Sequence, residues 1–292
     1  MALPIHIALT TDGVPIDAAE LNRVAAALAK QVLRDFEPIW NINATVDAFG
    51  KLEDVPADSW PIIVQKDVQG AAGYHEDDNG QPFALVEFET EWSLTASHEC
   101  LEMLADPFGR RVRAGKVPDQ AVKAGIKPGR VSFLVEVCDP SEDLKFAYQV
   151  NGVTVSDFYT PQYFDPVTAP GVRYSFTGAI DAPRKVLDGG YLSWKDLTTG
   201  HWMQLRMFPD NVSRKVPHVI DLTADTVFAK LIADTNIRAA IDRVTPRPRP
   251  AAVASKPSAL MAARKQSRDE VQEAQIARAR ALRTTIRKLQ KP

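Results

Sequence analysis

A chain of 292 residues with 45% hydrophobic and 25% charged side chains has globular composition and enough length for one large domain or two small ones. Its two cysteines, Cys100 and Cys138, are too few for a disulfide framework and lack the CxxC spacing of a zinc ribbon or thioredoxin-type site, so both are expected as buried thiols. With no run of about 18 apolar residues and no basic, apolar secretion start at Met1-Ala2-Leu3-Pro4-Ile5-His6, a soluble cytoplasmic protein without a membrane span or cleaved leader is expected, or a virion component if phage-encoded.

The net charge of −2 hides an asymmetry. From Arg243 to the end there are thirteen Lys and Arg against three Asp and Glu, a net of +10, so residues 1–242 carry −12. The two parts are expected to attract each other, or to attract different partners.

Ile5-His6-Ile7-Ala8-Leu9 reads as a strand and Thr10-Thr11-Asp12-Gly13 as the turn that ends it. Asp17 is a good N-cap with Glu20 three residues on; Leu21, Val24, Leu28, Val32 and Phe36 follow at helical spacing, and Pro38 is expected to stop the helix. Further strands are expected over residues 43–49, 60–65 and 82–88, with the Gly- and acid-rich stretch 70–80, including His75, read as a loop. The next helix, residues 93–105, is closed by Asp106-Pro107 because proline cannot continue it. After a polar, basic connection over 110–130, the apolar run Val131-Ser132-Phe133-Leu134-Val135-Glu136-Val137-Cys138 predicts a strand. Residues 144–208 read as β-rich or irregular, with a hairpin turning at Asn151-Gly152. One helix over about 224–244 closes the body. The expected domains are a body at 1–245, a Pro-rich linker at 246–258 and a basic helical tail at 259–292.

The chemistry concentrates in Ser97-His98-Glu99-Cys100-Leu101-Glu102. At i and i+4 of a helix, His98 and Glu102 share a face, so an imidazole nitrogen and a carboxylate oxygen can converge on one ion. This is HExxH geometry with the second histidine replaced, and Glu99 stands where such sites keep the carboxylate that takes a proton from water. A buried charge inside an apolar strand needs a counter-charge, which makes Glu136 the first choice of third ligand and Asp139 the second. On an extended strand these two point to opposite faces, so both reach the ion only if the chain bends at Cys138. Asp106 extends the helix face but lies too far along it for the same ion and is expected in support. Tyr159 and Tyr163 are expected to pack. One imidazole and two carboxylates make zinc the first expectation for the divalent metal, with manganese and calcium open.

Ser97-His98-Glu99, Glu102, Asp106-Pro107 and the later Glu136-Val137-Cys138-Asp139 resemble the S-H-E-x-x-E-x-x-x-D-P and E-x-x-D pattern of zincin-like bacterial and phage proteins read as metalloproteases, and more loosely a segment of plant exordium-like proteins. The resemblance covers residues 70–165. It implies an α/β (α+β) fold with a zincin-like mixed sheet and active-site helix, followed here by a β-rich second half of the body and a helical tail.

Two functions follow as expectations. The first is a metal-dependent peptidase or related hydrolase, with His98, Glu102 and Glu136 or Asp139 holding the ion, Glu99 as base, and the strand Phe83 to Phe88 pairing with a peptide or protein substrate as a sheet edge. The second is a structural or assembly component with a degenerate site that works through its tail. The tail's apolar positions Val271, Ala279, Leu282, Ile286 and Leu289 fall near one stripe among many arginines. Docking on an acidic protein surface or on the chain's own body is expected before nucleic acid, since no aromatic residue is present there to stack on bases, and no membrane partner is expected.

Overall fold

A computed structural model describes residues 4–68, 70–209, 215–246 and 267–289. It has mixed α/β content, with two five-stranded sheets and a helix at the C-terminal end. Among the described residues no helix is long and apolar enough to cross a membrane.

The first sheet is built from β1 (Ile5–Thr11), β2 (Ala44–Ala48), β3 (Trp60–Gln65), β4 (Gly73–Asp78) and β5 (Gln81–Glu87), in the order β2-β1-β3-β5-β4. The first four in that order are parallel and β4 is antiparallel to β5. The stretch read as a loop at 70–80 is therefore mostly strand, and it takes the edge that was expected at Phe83 to Phe88. Pairing explains the difference: β5 is hydrogen-bonded on both sides, by β3 and β4, so at this end of the sheet the edge is β4.

Helix α1 (Ala18–Gln31) starts as its sequence predicts, with Asp17 accepting from the Glu20 amide at 2.8 Å. It does not stop at Pro38. A π-turn, Val32–Phe36, shifts the hydrogen-bond register, and Pro38 falls in the first turn of a further short helix, α2 (Glu37–Trp40), where no amide hydrogen is needed. Helix α3 (Trp92–Ala105) packs on β5, β4 and β3 and touches α1. Eleven of its fourteen residues are buried, so it is covered on nearly every side, and its polar residues had to find partners inside the protein.

The basic connection at 110–130 contains β6 (Val112–Lys116) and α4 (Asp119–Lys123), which sequence reading passed over. β7 (Arg130–Leu134) is shorter than the apolar run suggests, because the chain leaves the sheet before Glu136 and turns at Cys138 into a 3-10 turn, Asp139–Ser141. The hairpin of β8 (Tyr148–Val150) and β9 (Val153–Val155) turns at Asn151 and Gly152, both at positive φ, as expected of Asn-Gly. With β10 (Tyr191–Asp196), β11 (Trp202–Arg206) and β12 (His218–Asp221), the second sheet runs β12-β11-β10-β7-β6, antiparallel throughout.

The single closing helix expected at 224–244 is two, α5 (Thr226–Asp234) and α6 (Ile237–Val244). Asn236 breaks it by adopting an extended backbone and capping α6, its side chain accepting from the Ala239 amide at 2.8 Å. One continuous cluster of buried side chains, including Ile7, Leu101, Phe133 and Trp194, runs between the sheets, and the carboxylates of the site lie beside it. Pro246 apart, the expected linker lies outside the described residues. The described part of the tail is α7 (Arg268–Leu289), opened by reciprocal hydrogen bonds between Ser267 and Glu270.

Candidate metal centre

α3 brings His98 and Glu102 onto one face, and the distances are those of co-ligands. His98 Nε2 lies 3.1 Å from Glu102 Oε2 and 3.3 Å from Asp139 Oδ1. Donor atoms about 2.1 Å from a tetrahedral ion stand about 3.4 Å from one another. The bend at Cys138 makes this possible, and Glu102 helps to hold it: the Cys138 amide donates to Glu102 Oε1 at 3.0 Å. Because of the bend, Glu136 and Asp139 both reach the cluster, where they lie within ligand distance of Glu102. Asp139 is the one beside His98, whereas Glu136 forms an ion pair with Arg238 Nε.

Arg238, on α6, was not foreseen. Fully buried, it pairs with Glu102, Glu136 and Asp242 and stands 3.6 Å from Asp139. Arg238 and Asp242 are four residues apart on an apolar helical stretch, Ala239-Ala240-Ile241, so the i, i+4 spacing of opposite charges was the signal in the sequence. The close approach of α6 depends on Gly109, at φ +56°, where a Cβ would stand 2.7 Å from the Arg238 Cβ.

The charges do not balance. Glu99, Glu102, Glu136, Asp139, Glu142 and Asp242 supply six carboxylates against one guanidinium and two imidazoles, those of His75 and His98. Burial works to raise Glu102, but Arg238 and His98 outweigh it and hold that carboxylate well below its usual range. Burial lowers His98, but Glu102, Asp139 and Glu99 overcome it and hold the imidazole well above its usual value. The remaining carboxylates have too little positive charge to share: burial and then neighbouring carboxylates push Glu136, Glu142, Asp242 and Asp139 upward in spite of Arg238.

Hydrogen bonding shows the same deficit. Asp139 Oδ2, Glu136 Oε1 and one oxygen each of Glu142 and Asp242 are buried without a partner, as are the hydroxyls of Ser141, Tyr159 and Tyr163, whereas Glu136 Oε2 pairs with Arg238 and Asp139 Oδ1 faces His98. Buried polar atoms are rarely left so, and orphans gathered around His98 fit a bound cation with its water. The donors, imidazole and carboxylate oxygen, suit a divalent ion. Tyr159 and Tyr163 pack as expected, stacked at 4.3 Å. Burial and the charge of Glu136 hold the Tyr159 hydroxyl well above its usual pKa.

Glu99 is buried on the side of α3 that faces β4. Its Oε2 is 3.5 Å from His75 Nδ1 and lies within ligand distance of Glu102. His75 is completely buried, with Nε2 2.9 Å from the Asp106 carbonyl. Asp106 also accepts from the Arg111 amide at 2.6 Å and ends α3, the supporting place expected of it. In the sequence His75 counts only as a loop histidine that could face the cleft, and no role is given to it, because its strand was read as a loop. Cys138 lies with His98 and Glu102 as a further potential ligand, but burial and the neighbouring Glu102 carboxylate raise its pKa well above the usual value, so the thiol stays protonated. Cys100 is buried, its thiol pushed up to about 12 by burial.

No family model, curated protein or solved structure matches the chain.

Proposed function

We propose that the protein is a metal-dependent hydrolase, acting on a peptide or protein substrate, with its centre at His98, Glu102 and Asp139. The observation that carries this reading is the spacing of His98 Nε2 from Glu102 Oε2 and Asp139 Oδ1, 3.1 and 3.3 Å, together with the buried Asp139 Oδ2, which has no hydrogen-bond partner. Zinc is the first choice of ion, with manganese and calcium compatible with the oxygen-rich set. When bound, a divalent ion supplies Lewis-acid polarisation and lowers the pKa of water. His98 is the most exposed of the three, its side chain 11% accessible, so the ion's nearest route to solvent is on the His98 side. Glu99 takes the proton from the attacking water and returns it to the leaving nitrogen, which balances the hydrolysis. Arg238 stands 3.5 Å from His98 through Nη2 and, buried and paired with Glu102, Glu136 and Asp242, holds those carboxylates in place beside the ion.

Arg238 also supports a second reading. A guanidinium held permanently among four carboxylates is a counter-ion in its own right, and with it the body is a structural or assembly component that needs no metal. Metal analysis separates the two. In the hydrolase reading, the purified chain retains Zn2+ after gel filtration, and His98→Ala and Asp139→Asn both lose the ion held there. Glu99→Gln keeps the ion at His98 but no longer cleaves a peptide library. Absence of retained metal in the unmodified chain would leave the structural reading standing.

A further inference from the structure

We propose that the chain holds a second divalent cation between His75 Nδ1 and Glu99 Oε2, with Glu102 shared between it and the ion at His98. This inference rests on the hydrolase reading only through the shared Glu102.

Three observations carry it. The first is the orientation of His75. A carbonyl can only accept, so the contact of Nε2 with the Asp106 carbonyl at 2.9 Å puts a proton on Nε2 and turns Nδ1, the other ring nitrogen, toward Glu99. Metal-bound histidines are held in this way, with the far nitrogen donating to a backbone carbonyl.

The second is what Nδ1 faces. Nδ1 points toward Glu99 Oε2 at 3.5 Å, and both atoms are buried with no hydrogen-bond partner, on side chains 0% and 3% exposed. The 3.5 Å separation exceeds a normal N–H···O hydrogen bond, so the two atoms face each other without one. The same distance suits a cation: two donors 3.5 Å apart subtend about 113° at an ion about 2.1 Å from each, near the tetrahedral angle. Glu102 has an oxygen within reach of both, and it is the carboxylate that lies against His98 on its other side. Gly73 keeps the pair together. A Cβ there would stand 2.9 Å from Glu99 Cγ and 2.8 Å from Thr95 Cγ2, so only glycine lets β4 lie this close to α3.

The third is charge. Six carboxyl groups surround one buried guanidinium, and each divalent ion bound among them offsets two carboxylate charges. Ligation through Oε2 leaves the other oxygen of Glu99 for the proton transfer assigned to it. Ions that share one carboxylate form a two-metal arrangement able to steady both the attacking and the leaving atom of a substrate.

Metal stoichiometry of the full chain tests this. The protein is stripped with chelator, equilibrated with Zn2+, freed of excess ion by gel filtration and analysed for zinc per chain, with Mn2+ loaded in parallel for electron paramagnetic resonance. The expected result is two ions per chain and an exchange-coupled Mn2+ signal. His75→Phe and Glu99→Gln should each hold one ion and lose the coupling; Glu99→Gln keeps the side-chain shape and guards against a folding defect in the histidine variant. His98→Ala should lose the other ion. One ion in the unmodified chain, or two in both His75→Phe and Glu99→Gln, overturns the second site while the first stands. Two ions with no loss in His98→Ala, but a loss in His75→Phe, defeats the hydrolase centre and leaves the second site. No retained ion defeats both.

Discussion

Arg238 is fully buried among Glu102, Glu136, Asp139 and Asp242, so replacing it with Met leaves those carboxylates without their main organic counter-charge. Removing one partner of a buried ion pair costs about 3–5 kcal/mol. Arg238→Met should therefore destabilise the chelator-stripped protein by about that amount in urea unfolding. If the orphaned oxygens of Asp139 and Glu136 belong to a cation site, added Zn2+ should return a large part of the loss, because the ion takes over the charge that the guanidinium balanced. A loss of the same size with and without Zn2+ would identify Arg238 as a permanent substitute for the ion. The residue also shows what kind of partner sequence reading misses. His98 and Glu102 announce themselves by their spacing on one helix, whereas Arg238 reaches the same point from 136 positions further along the chain, through contacts that no local pattern encodes.

At the scale of elements, legibility followed how local the determining interaction is. The start of α1 could be read because Asp17 and Glu20 meet within one turn, and the β8–β9 hairpin because Asn151 and Gly152 adopt the turn by themselves. β4 could not be read, since Glu76, Asp77 and Asp78 disguise a strand whose buried half is Gly73, Tyr74 and His75, and only pairing with β5 makes it extended. The early end of β7 is set by Glu102 capturing the Cys138 amide, a contact 36 positions long. The break between α5 and α6 was visible in Asn236 as a capping residue, but the apolar periodicity on either side read straight through it. That cap also positions Arg238 two residues later. Asn236→Ala should lower stability by about 1 kcal/mol, the usual worth of such a cap, and weaken whatever order the centre takes from Arg238. Denaturant unfolding reads the first effect. A change in Zn2+ affinity larger in Asn236→Ala than in a control cap variant, Asp225→Ala on α5, reads the second.

Across the whole molecule, a body of −12 carries a tail of +10, and the structure places the described tail on the body. Arg278 grips Asp165 with two bonds, Nη2 to Oδ1 at 2.7 Å and Nε to Oδ2 at 2.5 Å, while Ala274 is buried against Gly171. The face that docks matches the stripe drawn from the sequence only in part: Ala279 and Leu282 are half-buried, Val271 and Ile286 are exposed, and small Ala274 makes the close contact because a larger side chain would hold the helix off. An ion pair as accessible as this one, with Arg278 31% exposed, is worth about 0.2–1 kcal/mol, and salt weakens it. α7 is therefore expected to be held loosely, released by ionic strength or by loss of either partner. Trypsin reads this directly, since Arg278, Arg280, Arg283 and Arg287 lie in the helix. Cleavage within α7 should be several-fold faster in Asp165→Asn than in the unmodified chain at low salt, by the roughly fivefold that 1 kcal/mol allows. The difference should close near 0.5 M salt, where the screening length falls to about 4 Å. Equal cleavage of the two proteins at low salt would show that Ala274 and its apolar contact, rather than charge, keep the tail in place.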